Sequence, residues 1–260
     1  MSVILLEQEI VHYEVLGRGR PVIFLHGWVG SWRYWIPVMQ ATSASFRAYA
    51  IDLWGFGDTA RDPRRYSLLE QMRLLDGFLE QMGIMRFAVV GHGLGAVLGL
   101  MYARQNPGVV DRVMAVGYPM EESMISERLR TETPGALAEW LLGRLPATEP
   151  ARADAPKTDT QAVQVSLASL TGLSGMWRTN HTSCLLVHGQ NDPVVQVPRV
   201  DQLADMPEQM HAVVFDQSGH FPMLDENSKF NRLLSDFLAL TSGESPRDLQ
   251  LKEEWKRRVR

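Results

Sequence analysis

The sequence predicts an α/β fold: a mostly parallel, doubly wound sheet of about eight strands, with a small helical insertion after the sixth. Three observations predict it. Short apolar runs alternate with segments whose apolar residues recur at spacings of three and four. Most of these runs lack the in-and-out alternation of a half-exposed strand, so they read as strands covered on both faces. Strands and helices in that alternation build a parallel sheet with helices on both sides. Finally, the rhythm breaks between residues 121 and 182 and then resumes.

Along the chain, Val3–Leu6 and Ile10–Leu16 are short, β-branched and apolar, and Gly17 and Gly19 turn the chain after them. Val22–His26 is a nearly continuous apolar run and predicts a buried strand. A helix is expected over Tyr34–Ala41 and a strand over Phe46–Asp52, followed by a glycine-rich loop, Trp54–Gly57. Leu68, Leu69, Met72, Leu75, Phe78, Leu79 and Met82 share one helical face. Ser67, with Glu70 three residues on, predicts a capping box for that helix, and Gly83 its end. Phe87–Val90 is the next strand, Gly95–Arg104 a helix halted by Asn106 and Pro107, and Val113–Val116 a strand.

Within the break, Gly135–Leu145 and Ala162–Leu170 are amphipathic, while Pro146–Thr160, rich in Pro, Ala and charge, reads as an exposed, mobile loop. The rhythm returns with strand Cys184–His188, helix Val197–Ala204, strand Ala212–Phe215 and helix Lys229–Leu240. Residues 1–120 and 183–240 thus form one core, 121–182 a helical lid or cap, and 241–260 a basic tail. In the tail, Leu249, Leu251, Trp255 and Val259 lie among Lys252, Lys256, Arg257, Arg258 and Arg260. They outline a short amphipathic helix that docks on the body or meets a protein partner, beside the plainer reading of a solvated terminus.

Composition narrows the function. With 260 residues, 45% hydrophobic and 22% charged, the chain is not predominantly disordered. A net charge of −4 gives no electrostatic case for nucleic acid. The single cysteine, Cys184, excludes an intramolecular disulfide and a Cys-rich zinc site, and its strand setting reads as core. No run of 18 apolar residues exists, so no transmembrane helix is expected. Met1–Glu7 lacks the basic region and long apolar run of a signal peptide. A cytoplasmic protein is expected, with no cofactor and no metal.

The central motif is Val89-Val90-Gly91-His92-Gly93-Leu94-Gly95, between a strand and a helix. Two readings compete for it. Gly91, Gly93 and Ala96 fit the dinucleotide-binding spacing, with Asp111 near where a ribose-binding acid belongs. That acid should end the next strand, whereas Asp111 precedes Val113–Val116. The other reading is the nucleophile elbow, G-x-S-x-G, with Gly93 where the serine should stand.

The rest of the chain weighs on the choice. His26–Gly30 follows an early buried strand and suits an oxyanion-binding loop, where a backbone N–H near Trp28 and that of Leu94 face one developing charge. Asp192 and His220 each follow a late strand, where open α/β sheets place their ligands. An acid that holds a histidine in one tautomer is the base half of a Ser-His-Asp triad, and elbow, acid, base is the matching chain order.

Five segments together carry a family resemblance: Phe24–Trp28, Asp52–Gly57, Val90–Gly95, His188–Pro193 and Gly219–Pro222. From about residue 10 to 240 the chain resembles α/β-hydrolase-fold proteins of the serine-hydrolase type. The resemblance implies Asp192 as triad acid, His220 as base, Trp28 and Leu94 as oxyanion N–H donors, and 121–182 as the cap. Met120, Trp140 and Trp177 would either roof a pocket for a small apolar acyl-type ligand, with His26 and Phe221 at its wall, or simply form the core of the cap.

The departure is Gly93, which offers no nucleophile. Loss of a triad serine costs roughly a millionfold in turnover. No substitute is evident: nothing aims Ser31 at His220, and Cys184 reads as core. His92 reads as a packing or hydrogen-bonding residue, His188 as a strand end, and Asp216 as a competing acid with a poorer setting than Asp192. Three functions stay open. One is a carboxylic-ester, lactone or acyl hydrolase disabled at Gly93. Another is a pseudoenzyme that binds a small ligand or a protein partner. The last is serine-independent lyase or cofactor-free oxygenase chemistry run by the His220–Asp192 base.

Overall fold

The computed structural model describes residues 2–143, 148–171, 174–241 and 244–249. Eight strands form one sheet: β1 (Ser2–Leu6), β2 (Glu9–Leu16), β3 (Arg20–Leu25), β4 (Phe46–Ile51), β5 (Phe87–His92), β6 (Val110–Val116), β7 (Ser183–Gly189) and β8 (Met210–Phe215). Their spatial order is β1-β2-β4-β3-β5-β6-β7-β8. The β1–β2 and β2–β4 pairs are antiparallel, and every pair from β4 to β8 is parallel. This is the α/β-hydrolase architecture, and all eight expected strands are present within a few residues of their expected ends.

The β1–β2 hairpin turns on Glu7 and Gln8, whose φ angles are 50° and 71°. A two-residue loop with both φ positive is a type I′ turn, which favours Asn and Gly. Gln8→Gly should therefore stabilise the protein by about 1 kcal/mol. An unchanged or lower urea midpoint would contradict this account of the turn.

Three helices flank the first six strands: α1 (Ile36–Thr42), α2 (Leu68–Met82) and α3 (Leu94–Gln105). A 3-10 turn, Trp32–Trp35, replaces the expected first turn of α1. In α2 the Ser67 hydroxyl accepts the Glu70 N–H, and Gly83 closes the helix at φ 64°. Only half the capping box forms, because the Glu70 carboxylate pairs with Arg73 instead. Helix α3 packs on β5 and β6, centrally in the sheet.

The segment between β6 and β7 contains α4 (Arg128–Thr131), α5 (Pro134–Leu141), α6 (Glu149–Asp154) and α7 (Thr160–Ala168). Here one expectation fails. Residues 148–160 are not an exposed loop: α6 runs into a 3-10 turn, Ala155–Lys157, and Ala151, Asp154 and Ala155 are buried. Small alanines let the backbone pack closely, and the charges find partners in the core. The Asp154 carboxylate accepts the Ser31 hydroxyl and pairs with Arg33 Nε at 3.1 Å and Lys157 Nζ at 2.7 Å. Burial would raise this carboxyl, but Lys157, Ser31 and Arg33 hold it below its ordinary value. Asp154→Ala should cost about 1–3 kcal/mol and loosen this segment first. Hydrogen exchange over residues 148–160 that matches the parent would rule that out.

After β7 come α8 (Val200–Ala204), α9 (Pro222–Asp225) and α10 (Asn227–Ala239). Helix α8 starts later than expected, with Arg199 as its N-cap just past Pro198. In the tail, Pro246 and Leu249 are buried and Arg247 donates to the carbonyls of Met206, Pro207 and Met210. The chain thus docks beside β8 as far as residue 249. The amphipathic helix expected beyond it, with Leu251, Trp255 and Val259, lies outside the described residues. No helix among the described residues is long and apolar enough to cross a membrane.

Candidate active site

The turn from β5 into α3 is made by Gly93, at φ 49° and ψ −107°. That region is costly for any residue with a side chain. The glycines on either side meet a different demand, close approach. A Cβ on Gly91 would lie 2.2 Å from the Gly95 carbonyl oxygen, and one on Gly95 would lie 2.3 Å from that of Leu25. The turn therefore has the geometry expected of an elbow, and its apex carries no side chain.

The loop after β3 folds over this apex. The Trp28 indole places Cε3 and Cζ3 at 3.1 and 3.2 Å from where a Cβ on Gly93 would sit. Its Nε1–H donates to Ser166 Oγ on α7 at 3.1 Å, and Ser166 donates in turn to the Val163 carbonyl at 3.0 Å. Trp28 and Ser166 are both fully buried. The indole thus fills the space above Gly93 and is latched to the insertion. The backbone N–H of Leu94, first in its helix, has no intrahelical partner. Neither it nor that of Trp28 is hydrogen bonded among the described residues.

Asp192 lies in the turn after β7 and His220 in the loop after β8. The fold brings them together: His220 Nδ1 is 2.9 and 3.1 Å from the two carboxylate oxygens. The same carboxylate accepts the N–H groups of Val194 and Val195 at 2.7 and 3.1 Å. Burial alone would raise the Asp192 carboxyl, but His220 and these two N–H groups hold it below its ordinary value. A carboxylate can only accept, so Nδ1 of His220 carries a hydrogen, and in the neutral ring Nε2 is the acceptor. That Nε2 is buried and has no hydrogen-bond partner.

His92 ties these loops together. Its Nε2 is 2.9 Å from the His220 carbonyl oxygen, which fixes the hydrogen on Nε2. Its Nδ1 must then accept, and the Tyr34 hydroxyl donates to it at 3.0 Å. Tyr34 in turn accepts the Gly27 N–H. One directed chain therefore runs from the β3 loop through the elbow to the loop that bears His220. Burial pushes the His92 imidazole well below its usual value, with the neighbouring His220 adding to the effect. Phe221 packs against His92, His220 and Tyr34, with ring centroids 5.0 to 5.4 Å apart. Tyr34 and Ser166 were not singled out in the sequence: one sits in a short turn, the other inside an ordinary amphipathic helix, and neither position carries a motif.

The remaining candidates lie elsewhere. His26 spends both ring nitrogens in its own region, donating to the Gly27 carbonyl at 2.8 Å and accepting the Leu53 N–H at 3.0 Å. Trp140 is half-buried on α5 under the Arg128 guanidinium, 3.8 Å from its ring. Trp177 is fully buried with Arg178 over its ring. Met120 borders a space of only about 10 Å³, room for one water at most. The Ser31 hydroxyl is committed to Asp154. Burial pushes the Cys184 thiol far up. Asp111 lies near the start of β6, at the other end of the sheet from the elbow, and pairs with Arg86 and Arg112. The dinucleotide reading therefore lacks its acid.

The fold also gathers His12, Asp52 and Asp58, which their sequence spacing did not reveal. Asp52 Oδ2 is 2.8 Å from His12 Nδ1 and accepts the Asp58 N–H, while Oδ1 accepts the Trp32 N–H. Asp58 Oδ1 also pairs with Lys157 Nζ at 2.9 Å, and Asp52 Oδ2 is already spent on His12 and the Asp58 N–H, so these side chains satisfy one another.

Fold and site together define the class. Residues 22–233 match the profile of the Alpha/beta hydrolase family, and the chain belongs to that family. Among curated relatives, the 2-hydroxy-6-oxo-2,4-heptadienoate hydrolase of Pseudomonas putida is 26% identical over 267 residues, covering 86% of this chain and 91% of its own. Among solved structures, a hydrolase from Pseudomonas aeruginosa superposes with a TM-score of 0.80 at 17% identity, covering 92% of this chain and 98% of its own. The enol-lactonase from Burkholderia xenovorans superposes with a TM-score of 0.77 at 17% identity, covering 92% of this chain and all of its own (100%). These structural likenesses establish the fold.

Proposed function

We propose that this chain is an ester, lactone or acyl hydrolase scaffold whose acyl-transfer step is disabled at Gly93. The single observation that carries the reading is a bare elbow apex in a chain that keeps the buried Asp192–His220 pair. In a serine relative, the apex hydroxyl would attack the carbonyl carbon and pass its proton to His220 Nε2. Asp192 would stabilise the resulting imidazolium, and the Trp28 and Leu94 N–H groups would hold the oxyanion. Here no oxygen is present to attack. The Trp28 indole also lies against the apex, 3.1 Å from where a Cβ on Gly93 would sit. What the scaffold retains is the capacity to hold a small apolar acyl-type ligand once that indole moves. The test is a side-by-side assay of the parent, Gly93→Ser and Gly93→Ser/His220→Ala on short-chain activated esters. The reading fails if no serine-bearing form shows His220-dependent turnover.

A second reading is favoured by the unpaired, buried His220 Nε2. A buried base with a free acceptor nitrogen is suited to proton abstraction next to a carbonyl. Lyase or cofactor-free oxygenase chemistry of that kind would proceed in the parent and vanish in His220→Ala.

A further inference from the structure

At the opposite end of the sheet from Gly93, a cleft of about 220 Å³ opens where β3, β5 and β6 begin. Its walls are apolar and partly aromatic: Phe46 from β4, Phe87 from β5 and Leu238 from α10. Its charges are unbalanced. Three guanidinium groups, Arg20, Arg86 and Arg112, border it with a single carboxylate, Asp111. Both oxygens of that carboxylate are engaged, Oδ1 by Arg86 at 2.6 Å and Oδ2 by Arg112 at 2.7 Å. Arg112 is buried, with only 2% of its surface exposed, and its Nη1 donates to the Phe237 carbonyl. Its position is therefore fixed. Arg20 is exposed, lies over the Phe46 ring and donates only to the Leu238 carbonyl, with no carboxylate in ion-pairing range among the described residues.

We infer that this cleft is a second binding site, for a small amphipathic carboxylate with one anionic head and an apolar body. The surplus positive charge is held at the rim by Arg20, whose planar fork matches a carboxylate. The head would sit at that rim and the body against Phe46, Phe87 and Leu238. A neutral molecule of the same shape would leave Arg20 unpaired, and a bare anion would leave the apolar walls wet.

The test is calorimetric titration of the full chain with octanoate at low ionic strength, with 1-octanol and inorganic phosphate as comparison probes. One-to-one octanoate binding is expected, with each comparison probe at least about tenfold weaker. Arg20→Glu, at an exposed position, should weaken octanoate by about tenfold or more, and Arg20→Gln by less. His220→Ala should leave it unchanged, which separates this cleft from the Gly93 site. Failure to saturate, indifference to both Arg20 variants, loss of binding in His220→Ala, or phosphate binding as tightly as octanoate would each overturn the proposal.

Discussion

Gly93→Ser is expected to raise turnover of short activated esters by about a thousandfold to a millionfold, the range that separates an intact triad from residual catalysis. The upper end requires that the new Oγ reach His220 Nε2, whose lone pair is already oriented by Asp192. Two structural costs pull the gain down. A side chain at φ 49° and ψ −107° is strained by about 1–3 kcal/mol, so the variant should be less stable than its parent. The new Cβ would also sit 3.1 Å from the Trp28 ring, so the indole must retreat by a few tenths of an ångström. The Ser166 bond resists that retreat. Gly93→Ser/Trp28→Phe should therefore turn over faster than Gly93→Ser alone, since it removes both the latch and part of the ring. Rates are to be read with and without His220→Ala. If the double variant is no faster than the single one, Trp28 is not what closes the site.

The Asp192–His220 pairing was legible in the sequence and the position of the Trp28 indole was not, for a physical reason. Asp192 and His220 each sit just past the end of a parallel strand, and strand ends can be read from apolar runs and glycines. Their juxtaposition follows from β7 and β8 being neighbours. The helix from Ser67 to Gly83 was legible because its cap, its face and its stop are all local signals. The sequence suggests Trp28 only as a backbone donor, whereas in the fold its side chain packs over Gly93. The direction of that indole is set by Gly93 and Ser166, which lie 65 and 138 residues away in sequence. Tyr34 and His92 share this property: their hydrogen-bond roles exist only once three loops meet. Residues 148–160 misled for the opposite reason. Composition counts alanine and charge as signs of solvation, but here small side chains allow close packing and Asp154 gathers cations.

Lowering the pH from 7.5 to 5.5 is expected to remove folding stability through three buried histidines, by no more than about 1.4 kcal/mol each. His26, His92 and His188 have no exposed surface, and burial lowers all three imidazoles below 6.5. As the pH falls through 6.5 the unfolded chain binds more protons at these sites than the folded chain, so stability falls as the pH falls. The loss continues down to each folded value. His211, lowered by burial and by Arg247, adds to it. His12 behaves the other way. Asp52 and Glu14 outweigh its burial and raise it, so its contribution is complete below 6.5 and is lost as the pH rises through its folded value. Its contribution grows as the pH falls toward 6.5, so it offsets part of the loss above that value and adds nothing further below it. Carboxylates such as Asp192, lowered in the fold, contribute above about pH 4 and lose stability only as the pH falls further. The histidine window is therefore separate from the carboxylate window. Urea denaturation at the two pH values measures the difference, and His188→Asn should shrink it whatever it does to absolute stability. Equal stabilities at both pH values, or an undiminished difference in His188→Asn, would refute the assignment. The loss also has a local consequence. His92 accepts from Tyr34 only while neutral, so its protonation cuts the chain of hydrogen bonds from Gly27 to the His220 carbonyl.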